Sequence, residues 1–197
     1  YFFSGKALNY LERYADASEY FRKGFEKTAD KLTEDMKLNA YAGYVNALLK
    51  TGRPEEALRV LQQEAVKNVK DTHLVKDMEG AVYMEMKRYD DAAGIYEWLM
   101  DADPQNTRYR IALTQAFNGA GKYAESEKLL LEILSKEPEN TRYLMQLGIV
   151  YDFMKDIDKA EGALLKVIRK EPQNALALNN LAYMYIDNNR NLSKALE

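Results

Sequence analysis

Three of the chain's four prolines, Pro104, Pro138 and Pro172, stand 34 residues apart each time. A strict period of this length means one supersecondary unit copied along the chain. Each copy buries its apolar face against the next, so the period predicts a solenoid before any single residue is considered. The text around the prolines repeats with them. Asp103-Pro104-Gln105-Asn106-Thr107-Arg108-Tyr109 is matched by Glu137-Pro138-Glu139-Asn140-Thr141-Arg142-Tyr143.

With each proline set at position 32 of a 34-residue unit, units begin at His73, Thr107, Thr141 and Ala175, and an earlier one at Leu38. The expected repeats are residues 38–71, 73–106, 107–140 and 141–174, with partial units over 1–30 and 175–197, all in one domain of 1–197. In this register position 8 holds Gly5, Gly80 and Gly148, and position 20 holds Ala17, Ala57, Ala92 and Ala160. Large residues recur at position 11 (Leu8, Leu48, Tyr83, Phe117, Tyr151, Tyr185) and position 24 (Phe21, Leu61, Tyr96, Leu130, Leu164). Within one unit the apolar spacing is helical: Leu144, Leu147 and Tyr151, then Ala160, Leu164, Val167 and Ile168. Two helices joined by a short turn make an antiparallel hairpin, with small residues such as Gly148 and Ala160 where the axes cross.

The punctuation agrees. Gly52-Arg53-Pro54-Glu55-Glu56 ends one helix on glycine and begins the next on proline and acids. Asp90, Asp91 and Asp158 fall at equivalent helix starts, where carboxylates favour the positive end of the helix dipole. Asn106, Asn140 and Asn174 precede helices and read as caps. Three irregularities interrupt the register: about six extra residues near 28–37, a one-residue offset at Thr72, and Ala195 one place late, which implies an insertion over 188–192.

These residues, in this register, resemble the tetratricopeptide repeat family over nearly the whole chain. The family's frequent tryptophan at position 4 is replaced here by Tyr41, Lys76, Arg110, Leu144 and Leu178. The resemblance implies an all-α fold, a right-handed superhelical solenoid of antiparallel helix pairs. It further implies that the first helix of each unit lines a concave face, mainly at positions 2, 5, 9, 12 and 13. Carried over residue by residue, the candidate peptide-binding set is Asn46, Asp77, Arg108, Gln115, Arg142, Met145, Asp152, Phe153, Asn179 and Tyr183. Amides there can hold a peptide backbone by paired donors and acceptors, and Arg108 and Arg142 can grip carboxylates. The clamp by which one family subset holds a chaperone's terminal carboxylate is absent, since Ala42, Met78 and Ala112 stand where its partners belong.

Charge is nearly balanced, at a formal net of −3, which argues against nucleic acid because that footprint needs clustered excess positive charge. No apolar run approaches the roughly 18 residues of a membrane span, so membrane insertion by this segment is not expected. There is no cysteine, and the one histidine, His73, sits at a helix start and reads as surface or capping. Asn118-Gly119-Ala120-Gly121-Lys122-Tyr123 partly matches a phosphate loop but fails it. Ala116 stands where the first glycine belongs and Tyr123 where a hydroxyl should meet the metal. No catalytic residue, metal site or cofactor is expected. Trp98, the lone tryptophan, reads as packing, and Met84 and Met100 as gap-fillers.

The leading functional expectation is a non-catalytic scaffold that binds a peptide or helix of a partner protein in its groove. The alternatives are a structural module that packs on a neighbouring domain or on itself through its repeat ends, and the accessory part of a larger enzyme. Self-association is suggested by Leu178, Leu181 and Tyr185, which would lack a covering helix in a truncated last unit. The opening and closing residues read as those of a fragment. The wording of residues 178–185 resembles bacterial repeat proteins, many of them envelope lipoproteins, which favours periplasm or envelope over cytoplasm.

Overall fold

The computed structural model describes residues 1–28 and 31–187. The expected insertion over 188–192 and the displaced Ala195 lie outside these described residues. Among them there is no strand, and the all-α fold stands. The helices are α1 (Phe2–Tyr10), α2 (Tyr14–Thr28), α3 (Glu34–Lys50), α4 (Pro54–Arg59), a π-helical segment (Val60–Ala65), α5 (Val66–Asn68), α6 (Thr72–Glu85), α7 (Tyr89–Ala102), α8 (Thr107–Gly119), α9 (Tyr123–Lys136), α10 (Thr141–Phe153), α11 (Ile157–Lys170) and α12 (Ala175–Asp187). They form two compact units, Tyr1–Tyr109 and Arg110–Glu197. In the first, α1 packs on α2, α3 on α4, α6 on α7, and α2 on α3. In the second, α10 packs on α11 and α9, and α11 on α12.

One turn closes each hairpin. The residue at position 15 is left-handed in each of the five units where it is described: Glu12 (φ 56°), Gly52 (71°), Lys87 (58°), Gly121 (74°) and Lys155 (60°). The next N–H then returns to the carbonyl at position 11, as in Arg53 N to Leu48 O at 2.8 Å and Arg88 N to Tyr83 O at 2.9 Å. This satisfies carbonyls the helix end leaves open. Glycine adopts such a φ freely and lysine does not. Lys87→Gly is therefore expected to stabilise the protein by about 0.5–1 kcal/mol in urea unfolding, the relief of strain exceeding glycine's added unfolded-state freedom. A loss of stability would contradict this account of the turn.

The repeated Asp/Glu-Pro-x-Asn text is a turn joined to a cap. The amides of Asn106, Asn140 and Asn174 bond back to the carbonyls of Asp103, Glu137 and Glu171. Each asparagine oxygen accepts from a helix N–H, namely Arg108, Arg142 and Ala177. Each side-chain NH2 donates to the acid before the proline, at 3.1, 2.7 and 2.6 Å. All three expected caps form.

The crossings are as tight as the small residues require. Ala17, Ala57, Ala92 and Ala160 are each 0% exposed, as is Ser126 at the same position. A Cβ on Gly148 would lie 2.9 Å from Leu164, and one on Gly80 would lie 2.9 Å from Tyr96. Position 24 of the second helix thus fills the space that position 8 leaves open.

The one-residue offset at Thr72 has a local cause. In other units the buried residue after position 24 follows by three, as Tyr96 to Leu99 and Leu164 to Val167. In the second unit Leu61 is followed by Ala65, four later, and the chain between is π-helical. A π turn accommodates one extra residue inside an α-helix. Glu64, at the place buried elsewhere, is exposed.

Candidate partner-binding faces

In the first unit three predicted residues lie on first helices. Asn46 is exposed on α3. Asp77 on α6 is buried, at 3% exposure, and the Nη2 of Arg108 lies 2.7 Å from its Oδ2. Its Oδ1 is also buried and has no hydrogen-bond partner. Burial pushes the Asp77 carboxyl above its ordinary value, with the Arg108 charge acting in the opposite sense. This pairing places Arg108 on the protein's own carboxylate rather than free for a ligand's.

The same register explains Arg142. Arg108 meets the position-5 residue of the unit before it, Asp77; for Arg142 that residue is Ile111. Arg142 is exposed and makes no ion pair among the described residues.

The second unit holds the remaining candidates. Gln115 on α8 is exposed, and nearby Asn118 has a buried Oδ1 without a partner. On α10, Met145 is buried at 6% exposure, its sulfur 3.5 Å from the Asn180 Nδ2. Asp152 is half-buried with one carboxylate oxygen unpartnered. Phe153 is 53% exposed and stacks on Tyr123, centroids 5.3 Å apart and planes at 11°. On α12, Asn179 and Tyr183 are exposed, Tyr183 by 74%. Leu176 and Ile186 continue that stripe and are likewise exposed.

The structure therefore brings together Asp77 with Arg108, and leaves Arg142, Phe153, Asn179 and Tyr183 open. Sequence reasoning did not place Asn180 or Tyr123, which contact Met145 and Phe153, in the candidate site. Their contacts join residues 35 and 30 apart, a spacing that only the packing of neighbouring hairpins produces. Trp98, expected in packing, is instead 47% exposed and stacks on His73 at 5.1 Å. Of the residues expected to lack cover, Leu181 and Tyr185 are buried and Leu178 is exposed. Among the described residues no group of three or more metal-binding side chains converges, and no helix is long and apolar enough to cross a membrane.

Three family models, each described as Tetratricopeptide repeat, match residues 83–148, 142–174 and 163–197. The chain belongs to the tetratricopeptide repeat family. A solved tetratricopeptide repeat protein from Parabacteroides merdae superposes with a TM-score of 0.75 at 16% identity, over 98% of this chain and 73% of that one. YrrB, described as a TPR protein with an unusual peptide-binding site, superposes with a TM-score of 0.61 at 17% identity, over 90% of this chain and 88% of its own. Likeness at such identities shows the tetratricopeptide fold alone. By sequence, this repeat protein is 32% identical over 126 residues to ER membrane protein complex subunit 2 of Xenopus tropicalis, 62% of this chain and 42% of that one. It thus spans about two fifths of the length of that relative.

Proposed function

We propose that this repeat protein is a non-catalytic interaction module that holds an extended segment or helix of a partner protein on its first-helix faces. The observation that carries the reading is the α12 stripe of Leu176, Asn179, Tyr183 and Ile186. Its three large apolar side chains are 60%, 74% and 58% exposed and cover no core among the described residues. Exposed apolar side chains on one helical stripe mark a surface built to be covered, and aromatic residues dominate such contacts. On α10, Phe153 adds a second exposed aromatic surface and Arg142 a cation without an ion pair among the described residues. The described peptide-binding site of YrrB and the place of the Xenopus relative in a protein complex support a protein ligand.

A displayed peptide library selected on the purified protein tests this. Selected peptides should bind the Asn179→Ala/Tyr183→Ala/Phe153→Ala variant at least about tenfold more weakly, the loss of roughly 1.4 kcal/mol or more. All three side chains are exposed, so far-ultraviolet circular dichroism should not change. Equal affinity in a variant of normal helicity would move the binding face elsewhere; the exposed Asn46 and Gln115 would then be changed in turn.

A further inference from the structure

Beside the π-helical segment, away from the proposed partner-binding stripe, lies a cleft of about 310 Å³. Its walls come from α2, α3 and the helix that contains the π turn. A volume near 300 Å³ suits a small ligand or one inserted side chain. Its apolar part is aromatic: Phe25 stacks on Tyr41 at 4.1 Å and 17°, and lies 6.2 Å from Tyr44.

The charges of the cleft do not cancel. The guanidinium of Arg22 is engaged by Glu19 at 2.8 Å and Glu26 at 2.5 Å. Glu56 is held by Arg53 at 2.6 Å, with Arg59 at 3.7 Å. Glu64 also lines the cleft, and it makes no ion pair among the described residues. It stands there because of the π turn, which lifts it from the helix place that is buried in other units and puts Ala65 into the core instead.

Two tyrosine hydroxyls complete the wall. Tyr41 accepts a hydrogen bond from the Asn68 Nδ2 at 3.1 Å and keeps a second lone pair. Tyr44 is 4% exposed, lines the cleft, and makes no hydrogen bond among the described residues. Its hydroxyl oxygen is not among the buried atoms that lack a partner, so water reaches it, and a ligand's donor can take that water's place. Burial pushes Tyr41 up to about 12, the Glu64 charge adding to it, so this hydroxyl stays protonated and neutral.

We infer that this cleft is a binding site for an aliphatic primary amine, whose ammonium bonds to Glu64 and the Tyr44 hydroxyl while its alkyl stem lies on Phe25 and Val60. An ammonium offers three donors to these acceptors, and aromatic walls favour a cation. The same chemistry comes from a free diamine or from a lysine of a partner protein.

Isothermal titration calorimetry with cadaverine and with a short peptide that is acetylated only at its N-terminus and carries one free lysine tests the site, with pentanoate as the anionic control. Saturable millimolar binding of at least one amine, and none of pentanoate, is expected. Glu64→Gln should weaken that binding about tenfold, and Tyr44→Phe severalfold, with helicity retained. Deleting the exposed Gln63 should return the segment to α-helix, rotate Glu64 away and abolish binding, with the melting curve still cooperative. Tighter binding of the peptide assigns the site to a protein partner, and tighter binding of cadaverine to a small amine. No saturable heat with either amine, pentanoate binding as well as the amines, or unchanged affinity in folded Glu64→Gln overturns the inference.

Discussion

Gly148→Ala is expected to destabilise the protein by about 1–3 kcal/mol, although alanine in place of glycine inside a helix ordinarily stabilises it by up to about 1 kcal/mol. The sign reverses because of what the new methyl would meet. It would sit 2.9 Å from both Cγ and Cδ2 of Leu164, and 3.6 Å from the Ala160 carbonyl oxygen. Leu164 is 2% exposed and Ala160 0%, so neither has solvent to move into. Close-packed interiors transmit such a conflict rather than absorb it. Leu164→Val alone should also destabilise, by leaving a void. In Gly148→Ala/Leu164→Val the shorter side chain makes room, and the double variant should lose less than the sum of the single losses. Urea unfolding of the four proteins reads the coupling directly. Strict additivity would mean that the two residues do not meet as described.

Arg108→Gln is expected to cost roughly 1–3 kcal/mol at neutral pH. The reason lies in Asp77, which is buried and has Arg108 as its one ion-pair partner among the described residues. Removing one member of a fully buried pair costs about 3–5 kcal/mol. The cost is lower here because the Arg108 side chain is 69% exposed and water screens its end of the pair. The pH dependence follows from the direction of the Asp77 shift. Its folded value is raised above the ordinary 3.8, chiefly by burial. A raised acid binds its proton more tightly when folded, so its contribution favours folding at low pH and is lost as pH rises through the folded value. Without Arg108 that value rises further. The deficit of Arg108→Gln should therefore shrink as pH falls from neutrality toward the ordinary aspartate range. Asp77→Asn, which has no charge to desolvate, should be close to neutral and should remove this pH dependence in either background. A deficit independent of pH would show that Arg108 acts by packing rather than by charge.

Much of the local structure was legible in the residues. The Asp/Glu-Pro-x-Asn text predicts a helix end, a turn and a cap, and each bond in it joins residues a few positions apart. The 34-residue period brings Gly148 opposite Leu164 and leaves the position-20 alanines without exposure, because stacked copies must repeat their contacts. The offset at Thr72 was visible as a break in register. That the extra residue is taken up as a π turn was not, because insertion before, within or after a helix leaves the same count.

The candidate site was legible only as positions. The resemblance put Asp77, Arg108 and Arg142 on one kind of helix face, and their chemistry looked alike. Only tertiary structure sets Arg108 on buried Asp77 while leaving Arg142 exposed and without an ion pair among the described residues. A period fixes which positions face each other, whereas burial and charge depend on the particular side chains that meet there. The same holds for the amine cleft: the sequence contains Glu64, Tyr41 and Tyr44, and the packing of three helices around a π turn decides that they share a wall. From the prolines alone the chain is a repeat of helical hairpins; which of its side chains remain open for a ligand is settled by neighbours about thirty residues away.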